Sequence, residues 1–484
     1  GRPWARSGYV GLGWTLGDDG RGQFASIIAN GMYAGVMALC HRQTGDEMWK
    51  DALERLVDRM AELMVYRDDY CYFPMLAVNP GAKVRSHQPM MDRGCRYEAG
   101  GSVAGWLIHG LSQAYLATGY EPALPLAGKL GVYLMRHSGC YDEEARFTGM
   151  AHTHHHLKPL IGLLEYGLIA GNEEMVEFAR KGYEYTKTCG STTIGYYASI
   201  PGPDFTYNYA ALQRYFKVAA EGCTGADFIA LGIKLSQAGV GDYWDDVDRC
   251  VRNHFFEGQM LRRDWIDQLV KTLPPTPVDD VCFETDERVA ERNVGAFDTT
   301  PSPNDRGLRL YHCCSGNAMR SIYYLWDHIL TFDGGTLRAN LLLNRASPWA
   351  DLDSYIPYEG RVDLTIKQPC DLLVRIPEWV RPEETACTVN GEGRGLGWEG
   401  RYAGVGSVKP KDVVTLSLPI AERTVHETIQ GVDFTMVIRG NDVVAIDPPG
   451  ERYPFYRDKG RYREGKARRV KRERFVSSEH LHWR

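Results

Sequence analysis

The chain has 484 residues, with 62 acidic and 56 basic side chains, a formal charge of −6, 44% apolar and 24% charged residues. This is ordinary globular composition, and it excludes a disordered, collagen-like or supercharged chain. At roughly 100–200 residues per domain the length fits about two to four domains with a large core, so a lone small binding module is also excluded.

No window approaches the ~18 continuous apolar residues of a membrane helix. Stretches such as Val36–Cys40 and Leu341–Leu343 are short, and no membrane partner is expected. The first residues, Gly1-Arg-Pro-Trp, show neither Met nor a charged-then-apolar leader pattern, so the compartment is not readable there. Twelve cysteines in 484 residues are too sparse for a disulfide scaffold, which favours metal binding or a reduced compartment. A cytoplasmic location is the expectation, with the periplasm left open.

From residue 20 to about 330 the apolar residues recur at helical spacing, and the helices come in pairs joined by short glycine turns. Four such turns are visible: Gln43-Thr44-Gly45-Asp46, Ala117-Thr118-Gly119-Tyr120, Ile169-Ala170-Gly171-Asn172 and Gln237-Ala238-Gly239-Val240. Apolar segments precede them (Ile27–Cys40, Val103–Leu116, Leu157–Ile169, Phe228–Leu235) and amphipathic ones follow (Trp49–Leu63, Ala123–Met135, Glu174–Tyr185, Trp244–Phe256). The spacing is too irregular for a short-repeat solenoid and predicts an α/α toroid of about six hairpins.

After residue 335 the period changes to two. Arg361–Lys367, Asp371–Ile376, Ala386–Asn390, Asp412–Leu418 and Phe434–Arg439 read as short strands, separated by turn signals such as Asn390-Gly391. A β-sandwich is predicted. Residues 457–475 carry ten Lys/Arg against three Asp/Glu. The run reads as a solvated tail, because the rest of the chain is net acidic and no nucleic-acid motif accompanies it, so no nucleic-acid partner is expected.

Two spots carry chemistry: Glu221-Gly222-Cys223 at the start of a helical segment, and His312-Cys313-Cys314-Ser315-Gly316-Asn317 just before a helix over Ala318–Ile329. Adjacent cysteines rarely bridge each other, because the ring they would close is strained. As thiolates on a turn they can reach one metal, and with Cys223 and Glu221 they would make a tetrahedral site of the kind Zn²⁺ accepts. A vicinal pair in the core without a ligand is the alternative.

The segment Glu221-Gly-Cys-Thr-Gly-Ala-Asp227 through Asn253 resembles the Glu-Thr-Cys hairpin of glycoside hydrolase family 127, the β-L-arabinofuranosidases. Cys313-Cys314-Ser-Gly-Asn317-Ala-Met-Arg320 is similar to that family's Cys-Cys-Pro-Pro-Asn-x-x-Arg. Gly149-Met-Ala-His152-Thr-His-His-His-Leu-Lys158-Pro-Leu-Ile-Gly162 and Leu373-Val-Arg-Ile-Pro377-Glu-Trp379 through Thr388-Val-Asn-Gly391 resemble two further family stretches. The likeness runs over most of residues 22–440. It implies an (α/α)6 barrel over residues 1–332 and a β-sandwich domain over 333–484, acting on an oligosaccharide or glycoside substrate, with a homodimer left open. It further implies zinc held by Glu221, Cys223, Cys313 and Cys314, with Cys313 as nucleophile forming a thioglycosyl enzyme.

The pattern breaks at the acid/base. Gly202-Pro203-Asp204-Phe205-Thr206-Tyr207 puts Pro203 where the family has a Glu, and a proline transfers no proton. Asp204, one residue along, is the candidate proton donor, while His152, His154 and Tyr207 are candidates for substrate contact. Of the cluster His152–His156 at least half is expected to be structural, since opposite faces cannot serve one site. Ser315-Gly316 replace the double proline, and Trp106 stands at a usual family His. These departures leave two other readings: elimination from a uronate-containing sugar, as in a lyase or dehydratase, and a non-catalytic carbohydrate-binding protein with structural zinc.

Overall fold

The computed structural model describes residues 25–73, 77–78, 99–148, 153–200, 219–272, 287–307, 310, 312–451, 453–456 and 459. Its helical part contains α1 (Ile27–Thr44), α2 (Glu47–Glu62), α3 (Ala99–Thr118), α4 (Ala123–Arg136), α5 (Thr153–Ala170), α6 (Glu173–Lys187), α7 (Gly222–Gln237), α8 (Trp244–Cys250), α9 (Asp264–Val270), α10 (Val289–Arg292) and α11 (His312–Ile329). Helices α1/α2, α3/α4, α5/α6 and α7/α8 are the four hairpins expected from the glycine turns. Gly45, Gly119, Gly171 and Gly239 all take φ between +65° and +69°, the left-handed conformation that ends a helix most cheaply when no Cβ is present. In two of the turns the next residue caps the following helix: Asp46 accepts from Met48 N at 2.9 Å and Asn172 from Met175 N at 3.0 Å. A left-handed glycine followed by an Asx cap reverses the chain within two residues.

The first helices of the hairpins pack side by side in the order α1, α3, α5, α7, and α11 follows α7. Small residues set the spacing. A Cβ on Gly105 would lie 2.2 Å from Pro159 Cα, one on Gly31 2.7 Å from the Trp106 carbonyl, and one on Gly162 2.7 Å from the Gly105 carbonyl. Of the second helices, α2 and α6 are amphipathic: α2 buries Ala52, Leu53, Leu56, Val57 and Met60, and α6 buries Met175, Phe178, Ala179 and Tyr183.

The chain passes from α11 directly into a β-rich region that opens with Leu330–Asp333. Two sheets of six and five strands and a three-stranded meander over Glu422–Asp447 follow. The five predicted strands are present, and the Asn390-Gly391 turn has φ of 55° and 87°, the paired left-handed geometry of a tight hairpin. Polar groups join this region to the helices. Arg375 pairs with Asp245 at 2.7 Å and Asp242 at 2.8 Å. After α8 the helix breaks at Asn253, whose amide donates to Asn441 O and accepts from Val443 N, both at 2.9 Å. The basic run 457–475 lies outside the described residues except for Lys459, which bonds back to Asp442 at 3.4 Å.

Gly105→Ala tests the close helix packing. Alanine is the better helix former, but its methyl meets the fixed backbone of Pro159, so the variant should lose about 1–3 kcal/mol in urea unfolding. An unchanged or raised midpoint would contradict this packing.

Candidate functional site

Ser199 brings the helix starts that carry the sequence-predicted residues together. Its carbonyl accepts from Thr153 N at 2.8 Å, opening α5, and its hydroxyl accepts from Glu221 N at 2.8 Å, just before α7. The loop Phe297–Thr299 joins α7 to α11. Asp298 O accepts from Gly222 N at 3.1 Å, Phe297 N donates to Ser315 Oγ at 3.1 Å, and Thr299 Oγ1 donates to Cys314 Sγ at 3.4 Å. Gly222 sits in a tight gap, where a Cβ would be 3.2 Å from Phe297 and 3.4 Å from Cys314.

The first turns of α7 and α11 then place three sulfurs together. Cys223 and Cys314 are 3.6 Å apart, Cys313 and Cys314 4.0 Å, and all three lie within 4.8 Å of one another. Among the described residues this is the one cluster of three or more His, Cys, Asp or Glu ligand atoms that could hold a metal ion. None of the ten cysteines described is in a disulfide. The helix start differs from the expected turn: α11 begins at His312, so both vicinal cysteines are helical. Ser315 and Gly316 fit inside the helix because the hydroxyl of Ser315 caps an outside amide and nothing crowds Gly316. Consecutive helical residues point about 100° apart, which leaves Cys314 buried and Cys313 exposed.

Glu221 is the N-cap residue of α7 with extended backbone, φ −65° and ψ 149°, and its carboxylate is not in the sulfur set. Its charge still reaches the site. Contact with Cys313 and Cys314, then burial and Glu221, push the Cys223 thiol far up. For Cys314 the bond with Cys223 favours the thiolate, but Cys313, burial and Glu221 outweigh it and raise the thiol to about 12. Three crowded sulfurs beside a carboxylate cannot ionise together without a counter-charge, and a cation supplies one; the two helix N-termini add partial positive charge. Asn317 Nδ2 donates to Cys223 Sγ at 3.2 Å, orienting a sulfur from outside the set.

One turn further along α7 lies Asp227, fully buried. Its carboxylate accepts from His154 Nδ1 at 2.5 Å and pairs with Arg320 at 2.5 Å, tying α5, α7 and α11 together. Burial opposes its ionisation, but the charges of His154 and Arg320 outweigh it and hold the carboxyl well below the usual range. Trp106 stands edge-on to His154 with ring centres 5.7 Å apart, and Lys158 Nζ lies 5.3 Å from the Trp106 ring. Burial, then the charge of Arg320, bring the Lys158 ammonium down to about 7. His156 is structural: fully buried, it stacks on Phe147 at 4.3 Å. The candidates His152, Asp204 and Tyr207 lie outside the described residues. Asp227 was missed as a site group, although a lone carboxylate four residues after Cys223 in an apolar helix signals a buried partner.

A cavity of about 490 Å³ lies elsewhere, at the far ends of the same helices between Glu165, Lys234, Tyr324, His328, Phe332 and Trp349. Glu165 there pairs with Lys234 at 2.6 Å and with His109.

Lys158 gives a pH test. Its folded value, about 7, lies below the unfolded 10.5, so between these the unfolded chain binds more protons and stability should rise with pH through that window. Lys158→Met should remove this rise relative to wild type in urea titrations at pH 7 and pH 9. Parallel wild-type and variant curves would contradict the buried, depressed ammonium.

No protein-family model matches the chain, and no curated protein sequence does. Solved structures do match. A glycoside hydrolase aligns with a TM-score of 0.58 at 17% identity, covering 86% of this chain and 68% of its own. A GH127 β-L-arabinofuranosidase from Geobacillus stearothermophilus T6 gives 0.53 at 16% identity, with 86% and 66% covered. Another GH127 β-arabinofuranosidase gives 0.57 at 16% identity, with 85% and 63% covered. The chain thus spans about two thirds of the length of these proteins. The chain shares its fold with these solved structures, GH127 β-L-arabinofuranosidases among them, over 85–86% of its length.

Proposed function

We propose that the chain is a zinc-dependent glycoside hydrolase that removes non-reducing terminal β-L-arabinofuranosyl or similar units with retention, using Cys313 as nucleophile. The sulfur geometry carries the reading. Tetrahedral coordination with Zn–S bonds of ~2.3 Å puts ligand sulfurs about 3.8 Å apart, and the separations of 3.6 and 4.0 Å bracket that value. In this reading Cys223, Cys313 and Cys314 are ligands, and Glu221 completes the set by a side-chain rotation toward the sulfurs. When bound, the ion keeps the thiols deprotonated at neutral pH.

The protein's own groups do the rest. Cys223 and Cys314 are buried and Cys313 is exposed, so one sulfur of the three can meet a substrate. Attack of Cys313 Sγ on the anomeric carbon forms the C–S bond as the C–O bond breaks, and a donated proton neutralises the leaving oxygen; water then reverses the sequence with net retention. His152, His154 and Tyr207 contact the sugar in this reading, and Asp204 is the carboxylate that the sequence offers as proton donor. The helical domain 1–332, an (α/α)6 barrel, carries the chemistry, and 333–484 forms the β-sandwich domain.

Release of the chromophore from an aryl β-L-arabinofuranoside should fall by about a thousandfold or more in Cys313→Ser. An unsaturated, near-ultraviolet-absorbing product from uronate oligosaccharides, with no hydrolysis of the arabinofuranoside, would contradict the proposal in favour of elimination. Purified wild type should carry about one equivalent of zinc, and Cys223→Ala should lose more affinity than the ~10–100-fold typical of an outer-shell change. Full metal content in Cys223→Ala would remove the site as drawn.

A further inference from the structure

We infer that His154, oriented by Asp227, is the proton-transfer group of the cysteine site, taking the place of the carboxyl lost at Pro203; this rests on the glycosidase reading. Asp227 is ionised and accepts only, so the proton between the two lies on Nδ1 of His154. That fixes the ring and leaves Nε2, which has no hydrogen-bond partner among the described residues, for a substrate oxygen. A histidine held at Nδ1 by a buried carboxylate is the arrangement in which an imidazole serves as acid and then base, because the carboxylate orients the ring and stabilises its cation.

The position suits the role. His154 is the second residue of α5, whose start is joined through Ser199 to the start of α7, where Cys223 sits. Asp227 follows Cys223 by one helical turn, about 6 Å along the axis, and Arg320, its other partner, is close enough to the thiols to interact with Cys223 electrostatically. The charged and titratable groups around His154 are Asp227 on α7, Arg320 on α11, and His155 and Lys158 on its own helix, with Trp106 of α3 against its ring edge. Arg320 is committed to Asp227, and Lys158 lies over Trp106. In the first step the imidazolium gives its Nε2 proton to the glycosidic oxygen as that oxygen takes the C–O electron pair and Cys313 Sγ bonds the anomeric carbon. In the second, neutral Nε2 takes a proton from water as the water oxygen bonds that carbon and the C–S pair returns to sulfur.

His154→Gln is assayed on two arabinofuranosides, dinitrophenyl and phenyl, with zinc content as the check on folding. The phenyl glycoside, which needs protonation to leave, should slow by about 10²–10⁴-fold, the dinitrophenyl glycoside far less in its bond-breaking step, and added azide should be captured as glycosyl azide. His154→Asn serves the same test if the Gln variant fails to hold metal. An equal loss on both glycosides with no azide product would overturn the inference and leave the glycosidase reading standing, as would the same graded loss appearing in Asp204→Asn instead. A wild type that holds zinc and turns over neither glycoside would overturn the glycosidase reading itself, and the inference with it.

Discussion

Three sulfur atoms held on the first turns of two neighbouring helices form the constraint on which the site depends. Thiols at 3.6 and 4.0 Å repel once ionised, and the carboxylate of Glu221 adds to the repulsion. Apolar packing alone gives no reason to gather them. Hydrogen bonds and close packing hold them: Gly222 N donates to Asp298 O, Phe297 N donates to Ser315 Oγ, and a glycine stands where a larger residue would press on Cys314. A divalent cation would neutralise the charge that the cluster cannot carry by itself once ionised, so the three sulfurs could hold a metal ion.

A second layer of buried charge fixes the helices that carry the cradle. Asp227 binds His154 on one side and Arg320 on the other, which joins α5, α7 and α11 through one carboxylate. Removing both partners would leave an uncompensated buried charge, a loss of about 3–5 kcal/mol. The same group therefore ties the fold to the chemistry: the bond that locks the helix register also fixes which nitrogen of His154 faces away. Tight glycine contacts between α1, α3 and α5 supply the remaining rigidity.

Local signals were legible where a residue type has one backbone use. Gly45, Gly119, Gly171 and Gly239 marked their turns because left-handed φ strongly favours glycine, and period-two apolar runs marked the strands. The vicinal cysteines were legible as chemistry, yet the turn expected to carry them ahead of Ala318 is already helix, where a side-chain bond from Ser315 to Phe297 offsets the weak helix preference of Ser315-Gly316. Ser199, Thr299 and Asp227 act through partners 15 to 93 residues away in sequence, and no local pattern encodes such contacts. His152, Asp204 and Tyr207 fall outside the described residues.

In the proposed mechanism the Cys313 sulfur bonds the sugar. Wild-type protein holding zinc, quenched with acid during turnover of a slow aryl β-L-arabinofuranoside and digested, should yield a peptide bearing Cys313 heavier by one pentosyl unit, with Cys223 and Cys314 unmodified. Turnover with an unmodified Cys313 peptide, or the pentosyl unit on any other residue, would contradict it.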